Sequence, residues 1–465
     1  MKFQERAFAA ALPSFRSEQS IDGDQGLSTS KNHAIDLPNK ITVLLTKHPC
    51  HSNQFAAEEI RCLRRVGYDI ALSALDSTLQ DCKDLSSEIK AEIKATHYVR
   101  ARGAIHEIAN HLRAVSKPLS YLRLAYHAIR LDGWIGLIRN RHIADVLDLA
   151  QWMRQNGIGH LHAHFGTEAA RVAVLMSHFR PVTVSLTLSN SDELHHAGPT
   201  RLKQKVEAAD FIICVGTATK NLLMRLTHPQ HWHKYDVCAL GVDTQRYQPK
   251  PLRLKPGIFT VLCVGQLEPH NGQRTLLEAC SLLREYGREI RLVFVGNGCD
   301  EVELKSRAKG KNMEHAVTFA GALHQERLSD WYGRADTFVN SSLAEGMSLP
   351  VMEAMASGLA CVSSRTISML ELIREGSDGL LVEPNNAQEL AGAILRLMDD
   401  DELRTRLAVY GRARILQKYS LLRTSERFGN LFQTRLSTRQ GHRRKSVTAN
   451  GHPMKLDLLF NPSDR

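Results

Sequence analysis

Short β-branched runs alternate with helical patterns along most of this chain, and the rhythm starts twice. Runs at 41–46, 69–72, 159–164, 182–186, 211–215 and 235–239 read as strands. A second series follows at 259–264, 291–295, 316–320, 336–340, 360–363 and 379–382. Helical spacing fills the gaps: residues 54–66 set Phe55, Ile60 and Leu63 roughly one turn apart, and Gly67 follows where a helix stops. Such alternation predicts parallel sheets with helices on both faces. One sheet of about twelve strands would be unusually wide. Two doubly wound, Rossmann-like domains of α/β class explain the restart better, joined near 241–257, where Pro249, Pro251 and Pro256 cluster. Sheets of this kind bind ligands beyond the carboxyl ends of their strands, so two facing sheets create an inter-domain cleft for a small molecule.

The expected organisation is a disordered N-terminal arm over 1–39, a first domain over 40–245, a second over 246–434 and a disordered basic tail over 435–465. The first domain carries extra basic helices over 97–157. With 43% hydrophobic, 23% charged and 6% aromatic residues, the chain is neither collagen-like nor low-complexity. No apolar run approaches the ~20 residues of a membrane span. The first residues lack the apolar centre of an export signal, so a cytoplasmic location is expected, including the inner face of the cytoplasmic membrane. Nine scattered cysteines with no C-x-x-C pair read as reduced thiols.

The net charge of +11 is concentrated. Residues 97–157 hold nine Arg or Lys against four acids, and 435–465 hold seven against two. Tyr121, Leu122, Leu124, Ile129 and the 134–138 run alternate with Arg123, Arg130, Arg139 and Arg141, a pattern suited to peripheral contact with an anionic membrane or to ordinary helix packing. The tail lacks interleaved aromatics, so no nucleic-acid partner is expected.

The most specific segment is Leu343-Ala-Glu-Gly-Met-Ser-Leu-Pro-Val-Met-Glu-Ala-Met-Ala356. Glu345 follows a strand and precedes a glycine; Glu353 lies eight residues on, on the next helix. Pro350 suits the first helical turn. The N–H groups of Ser348 and Leu349 then face out of a helix N-terminus, an anion site, and Glu353 is placed to reach a sugar diol. The alternative is a solvated glutamate plus a dipole-favoured one.

These residues resemble the paired-glutamate motif of the family 4 retaining glycosyltransferases, also called glycosyl transferase group 1, which have the GT-B fold. Other segments match in order: 261–272 resembles the strand and Gly-rich turn that open the donor domain, 293–298 and 317–322 the next two strand ends, and 240–249 the inter-domain passage. In the first half, Ser52-Asn-Gln-Phe55, the 59–67 segment and His162-Ala-His-Phe-Gly166 resemble the exopolysaccharide, colanic-acid-type subgroup. The resemblance implies an acceptor-side first domain and a donor-binding second domain. It implies sugar transfer with retention, from a nucleotide-sugar to a lipid-linked or oligosaccharide acceptor in exopolysaccharide or cell-surface polysaccharide synthesis, with no cofactor. By the same resemblance Glu345 meets the donor sugar, Glu353 the ribose, Gly321 and Ala322 the base, and Ser348 and Leu349 the diphosphate, with Gly265, Gln266, Asn271 and Gly298 also on the donor side. Phe55, His162 and His164 fall on the acceptor side.

The departures matter as much. Gln266 and Asn271 stand where the family has Arg and Lys, Ser189 where it has an active-site His, and Ile367-Ser368 where it has a Gly pair. One lost preorganised charge-stabilising group costs about 2.7–4 kcal/mol. His270 and Arg274 are candidates to restore positive charge. A catalytically degenerate, glycosyltransferase-like partner subunit of a polysaccharide-synthesis complex is therefore the second expectation. His160, His162 and His164 share one strand face, but no carboxylate partner is identifiable along the chain, so no metal is expected. Neither a dinucleotide fingerprint nor a Walker A sequence is present.

Overall fold

The computed structural model describes residues 40–48, 54–65, 67–77, 87–101, 109–112, 118–139, 141–164, 168–189, 198–251, 257–323, 325–344 and 346–449. The expected arm over 1–39 and the tail beyond 449 lie outside these.

Two parallel sheets organise the chain. The first contains β1 (Lys40–His48), β2 (Asp69–Ser77), β3 (His97–Tyr98), β4 (His160–His164), β5 (Thr183–Leu188), β6 (Phe211–Cys214) and β7 (Tyr235–Val237), in the order β3-β2-β1-β4-β5-β6-β7. The second contains β8 (Phe259–Val264), β9 (Ile290–Val295), β10 (Val317–Phe319), β11 (Thr337–Asn340), β12 (Ala360–Ser364) and β13 (Leu380–Val382), in the order β10-β9-β8-β11-β12-β13. Each order reverses direction beside the first strand of its sheet, as in a doubly wound fold.

Period-two side chains explain why both faces are covered. Ile41, Val43 and Leu45 enter one core cluster while Leu44 enters another. Phe259, Val261 and Cys263 pack on one side of the second sheet and Leu262 on the other. Strands buried on both faces are mostly apolar, which is why these runs look continuous in sequence; β4, with His160, His162 and His164 buried, departs from this.

Four findings differ from the sequence reading or refine it. β3 is an additional strand of two residues, too short to leave a pattern. Within 97–157, the helix His142–Gln155 is packed into the core through Val146, Leu147, Leu149 and Met153. Arg100 is also internal: it bonds Asp145, Asp76 and Glu168, so its charge is offset by three acids. Finally, the helix Leu421–Ala449 runs on through residues 435–449, which the sequence reading placed in the tail. Its Phe428, Phe432 and Leu436 are buried against the first sheet, and Arg435 bonds Asp236 beside β7. The chain thus leaves the second domain and closes over the first.

Candidate functional site

The carboxyl ends of β8, β9 and β10 form one wall. Gly265 donates its N–H to Val295 O and Gly296 donates to Gly321 O. Leu267 N–H donates to Asn297 O, and Asp300 N–H to Leu267 O. The loops pack backbone on backbone: a Cβ on Gly298 would lie 2.2 Å from Leu267 O, and one on Gly296 1.9 Å from Gly265 O. Gly272 has φ 65° and faces Ser341 O, so a side chain there would be both strained and obstructed. The backbone bonds thus bring the loops that carry Gly265, Gly298 and Gly321 together at one end of the sheet.

Gln266 is exposed, and its carbonyl oxygen accepts from Asn271 Nδ2 at 2.9 Å and Gln273 Nε2 at 2.7 Å. Asn271 O in turn accepts from Ser341 Oγ at 3.1 Å. Asn271 thus acts as a neutral brace. The two suggested replacement cations are themselves engaged. Arg274 makes a bidentate pair with Asp300, at 2.9 and 2.6 Å, and His270 Nδ1 lies 3.5 Å from Glu268. These two candidates to restore positive charge are therefore paired: His270 faces a carboxylate of its own loop, and Arg274 one from the loop after β9.

After β11, Ser348 is 1% exposed and caps the helix Leu349–Ala356 in an extended conformation, with Pro350 in the first turn. Ser342 Oγ bonds Asn340 Oδ1 at 3.0 Å behind this turn. Glu345 lies outside the described residues. Glu353 has a different setting from the one expected. It is 2% exposed, and its Oε1 and Oε2 accept from Tyr247 Oη and Tyr332 Oη, both at 2.9 Å. Burial raises both tyrosine hydroxyls above their usual range, and the adjacent carboxylate raises them further. The correction is that Glu353 faces the interior of its domain, because two buried phenols occupy its oxygens and draw it inward. Tyr247, on the inter-domain passage, is the residue that sequence reasoning missed here. Its signal was a ring bearing a hydroxyl within the 240–249 segment that resembles the inter-domain passage.

The first domain meets this rim directly. Thr217 N–H and Oγ1 donate to Glu371 Oε2 and Oε1 at 2.9 and 3.0 Å, so a carboxylate of the second domain caps the helix Thr217–Leu226. Val215 shares a core cluster with Met347, Met369 and Leu372. Ile367 is exposed and Ser368 buried at the start of the helix Ile367–Leu372, so the pair in place of two glycines is accommodated by placing one side chain out and one in.

On the acceptor side, Ser189 ends β5 and is half-buried. Phe55 begins the helix Gln54–Arg65, outside the described side chains. His162 and His164 do not line the cleft: they are 0% and 2% exposed. Phe428 and Phe432 stand edge-on to His162 and cover it. A hydrogen-bonded row runs along this face: Thr183 Oγ1, His160, Ser185 Oγ, His162, Thr187 Oγ1 and Glu59, with links of 2.7, 2.8, 2.7, 3.1 and 3.3 Å. His164 Nε2 contacts Glu59 Oε2 at its end. Burial alone would raise the Glu59 carboxyl, but His164 and His162 together pull it below its usual value; burial holds His162 below its own. The carboxylate that the sequence did not reveal is thus supplied by a helix about a hundred residues upstream.

Residues 245–414 match the family described as glycosyl transferases group 1. The chain is 24% identical over 384 residues to the putative colanic acid biosynthesis glycosyltransferase WcaL of Escherichia coli (strain K12), covering 78% of this chain and 92% of the relative. It is 28% identical over 196 residues to the amylovoran biosynthesis glycosyltransferase AmsK of Erwinia amylovora, covering 40% of this chain and 47% of that one. Among solved structures, Anabaena Alr3699/HepE in complex with UDP and glucose aligns with a TM-score of 0.65 and 17% identity over 84% of this chain and 99% of that one. The sucrose-phosphate synthase of Thermosynechococcus elongatus aligns with a TM-score of 0.66 and 18% identity, over 86% and 100%. These likenesses in shape establish the architecture as GT-B.

Proposed function

We propose, from the membership of residues 245–414 in the group 1 glycosyl transferases, that the chain transfers a sugar from a nucleotide-sugar to a saccharide acceptor. The reaction proceeds with retention, on a lipid-linked unit of an exopolysaccharide or cell-surface polysaccharide. The observation that carries this reading is the joining of the Gly265, Gly298 and Gly321 loops at the carboxyl ends of β8 to β10, in the same domain as the Ser348–Leu349 helix start. Backbone N–H groups and the helix dipole there favour a diphosphate without needing a side-chain cation. Glu345 is assigned to the donor sugar. The names of the curated relatives support the polysaccharide context.

The test is transfer from a panel of nucleotide-sugars, UDP-glucose first because the Anabaena structure holds UDP and glucose. Products are read by mass spectrometry on membrane extracts. Glu345→Ala should abolish transfer; an undiminished rate would remove the assigned site.

A second reading, a partner subunit that binds without turnover, is favoured by the neutral Gln266 and Asn271 and by the pairing of Arg274 with Asp300. UDP binding by calorimetry with no transfer from any donor would select it.

The acceptor reading extends to the membrane. The helix Pro118–Arg139 exposes Leu119, Leu122 and Tyr126 at 83%, 64% and 57%, with Arg123 and Arg130 exposed between and beside them. Apolar side chains flanked by arginines suit an anionic headgroup layer. No helix among the described residues is long and apolar enough to cross a membrane. Sedimentation with phosphatidylglycerol vesicles should be lost in Leu119→Glu/Leu122→Glu; unchanged sedimentation would sink the contact.

A further inference from the structure

We propose that Glu59, His162 and His164 form a buried site for one borderline divalent metal ion of the zinc class. It lies in the first domain and is independent of the sugar-transfer reading. Their ligand atoms all fall within 4.8 Å of one another, and each residue is buried. His162 and His164 are two apart on β4, so both rings leave the same face of the strand. Glu59 descends on that face from the helix Gln54–Arg65.

One spacing, between His162 and Glu59, is that of a coordination shell. Zinc bonds of about 2.0–2.2 Å to nitrogen and oxygen place tetrahedral corners about 3.3–3.6 Å apart. His162 Nε2 lies 3.5 Å from Glu59 Oε2. Thr187 Oγ1 lies 3.1 Å from His162 Nε2 and 3.3 and 3.4 Å from the two Glu59 oxygens, and so stands at a fourth corner. His164 Nε2 contacts the same carboxylate oxygen.

The surroundings are those of ligating histidines. Both rings turn Nε2 toward Glu59, and Nδ1 of His162 is held by Ser185 Oγ at 2.7 Å. Ser185 is held in turn by His160 Nε2 at 2.8 Å, and His160 Nδ1 by Thr183 at 2.7 Å. Anchoring the non-ligating nitrogen fixes ring orientation. Two imidazole nitrogens disfavour magnesium and calcium, which take oxygen shells, and suit zinc, cobalt or nickel. The site is closed by Phe428 and Phe432 of the C-terminal helix, so the ion is structural: it ties the helix Gln54–Arg65 to β4 beneath the element that returns from the second domain.

The test uses the full chain. Purified protein, incubated with excess zinc and dialysed, is expected to retain about one equivalent by mass spectrometry of the metal, and stripping with 1,10-phenanthroline should lower its melting temperature. His164→Gln and Glu59→Gln should each lose the ion, whereas His160→Gln should keep it. Retention below about a tenth of an equivalent by a folded wild-type chain overturns the site and leaves a hydrogen-bonded carboxylate–imidazole network. Retention by His164→Gln equal to wild type also overturns it. Should the variants not fold, zinc-edge absorption of the wild-type protein decides: a nitrogen and oxygen shell with imidazole scattering supports the site, and a sulfur shell refutes it.

Discussion

Glu353 is held by two phenols, and that arrangement sets what its substitution should do. A buried acceptor deprived of a donor costs about 1–3 kcal/mol. Tyr332→Phe removes a bond to a fully buried oxygen and should lower the thermal midpoint, as should Tyr247→Phe on the linker. Glu353→Gln, which keeps an oxygen to accept and gains an N–H to donate, should be milder than Glu353→Ala. Calorimetric melts of the four variants order them, and an alanine variant as stable as wild type would show that the pair carries no load. His178 gives a pH prediction. Its ring stacks on His127 at 3.5 Å, and burial first, then His127, Arg123 and Arg130, push its pKa down to about 4 from the ordinary 6.5. A lowered histidine binds fewer protons folded than unfolded, so stability should fall as pH drops from about 6.5 to about 4. His178→Asn should flatten that part of the melting curve against pH; an identical slope in both proteins would exclude His178 as its source.

At the scale of elements, the helix Leu421–Ala449 has the clearest consequence. Phe428, Phe432 and Leu436 sit at i, i+4 and i+8 and bury one stripe on the first sheet, beside Ile41, Val43 and Phe211. Removing a buried phenyl ring costs about 3–5 kcal/mol. Phe432→Ala should therefore destabilise the first domain, although the residue is reached only after the second domain is complete. Hydrogen exchange in β1 and β4 should rise in this variant, and exchange confined to the helix would show that the first sheet does not depend on it. Three apolar anchors and the Arg435–Asp236 pair hold this helix on the first sheet, while Arg423, Glu426, Arg427 and Gln433 are exposed.

For the molecule as a whole, the junction at Thr217 and Glu371 matters most. The carboxylate satisfies the first N–H of the helix Thr217–Leu226 from across the cleft. An N-cap of this kind is worth about 0.5–2 kcal/mol, enough to shift a balance between closed and open arrangements by several-fold. Glu371→Ala should increase the radius of gyration in small-angle scattering, with helix content by circular dichroism unchanged. Identical scattering curves would show that the remaining contacts hold the domains together without it.

The alternation of short apolar runs and 3.6-period segments determined the two parallel sheets and the cleft between them, because a strand covered on both faces is apolar over most of its length, the three buried histidines of β4 excepted. Among the donor-side glycines that the resemblance marked, Gly298 has a related physical reason: only a residue without a side chain fits where its backbone lies on that of Leu267. What the sequence could not contain was the pairing of distant groups. Glu59 lies about a hundred residues before the histidines it meets, Asp300 takes up the charge of Arg274, and Tyr247 and Tyr332 turn Glu353 inward. A buried charge is tolerated only beside its partner, and partners are chosen by folding in three dimensions, so these side chains acquire their roles only once the sheets and the returning helix are in place.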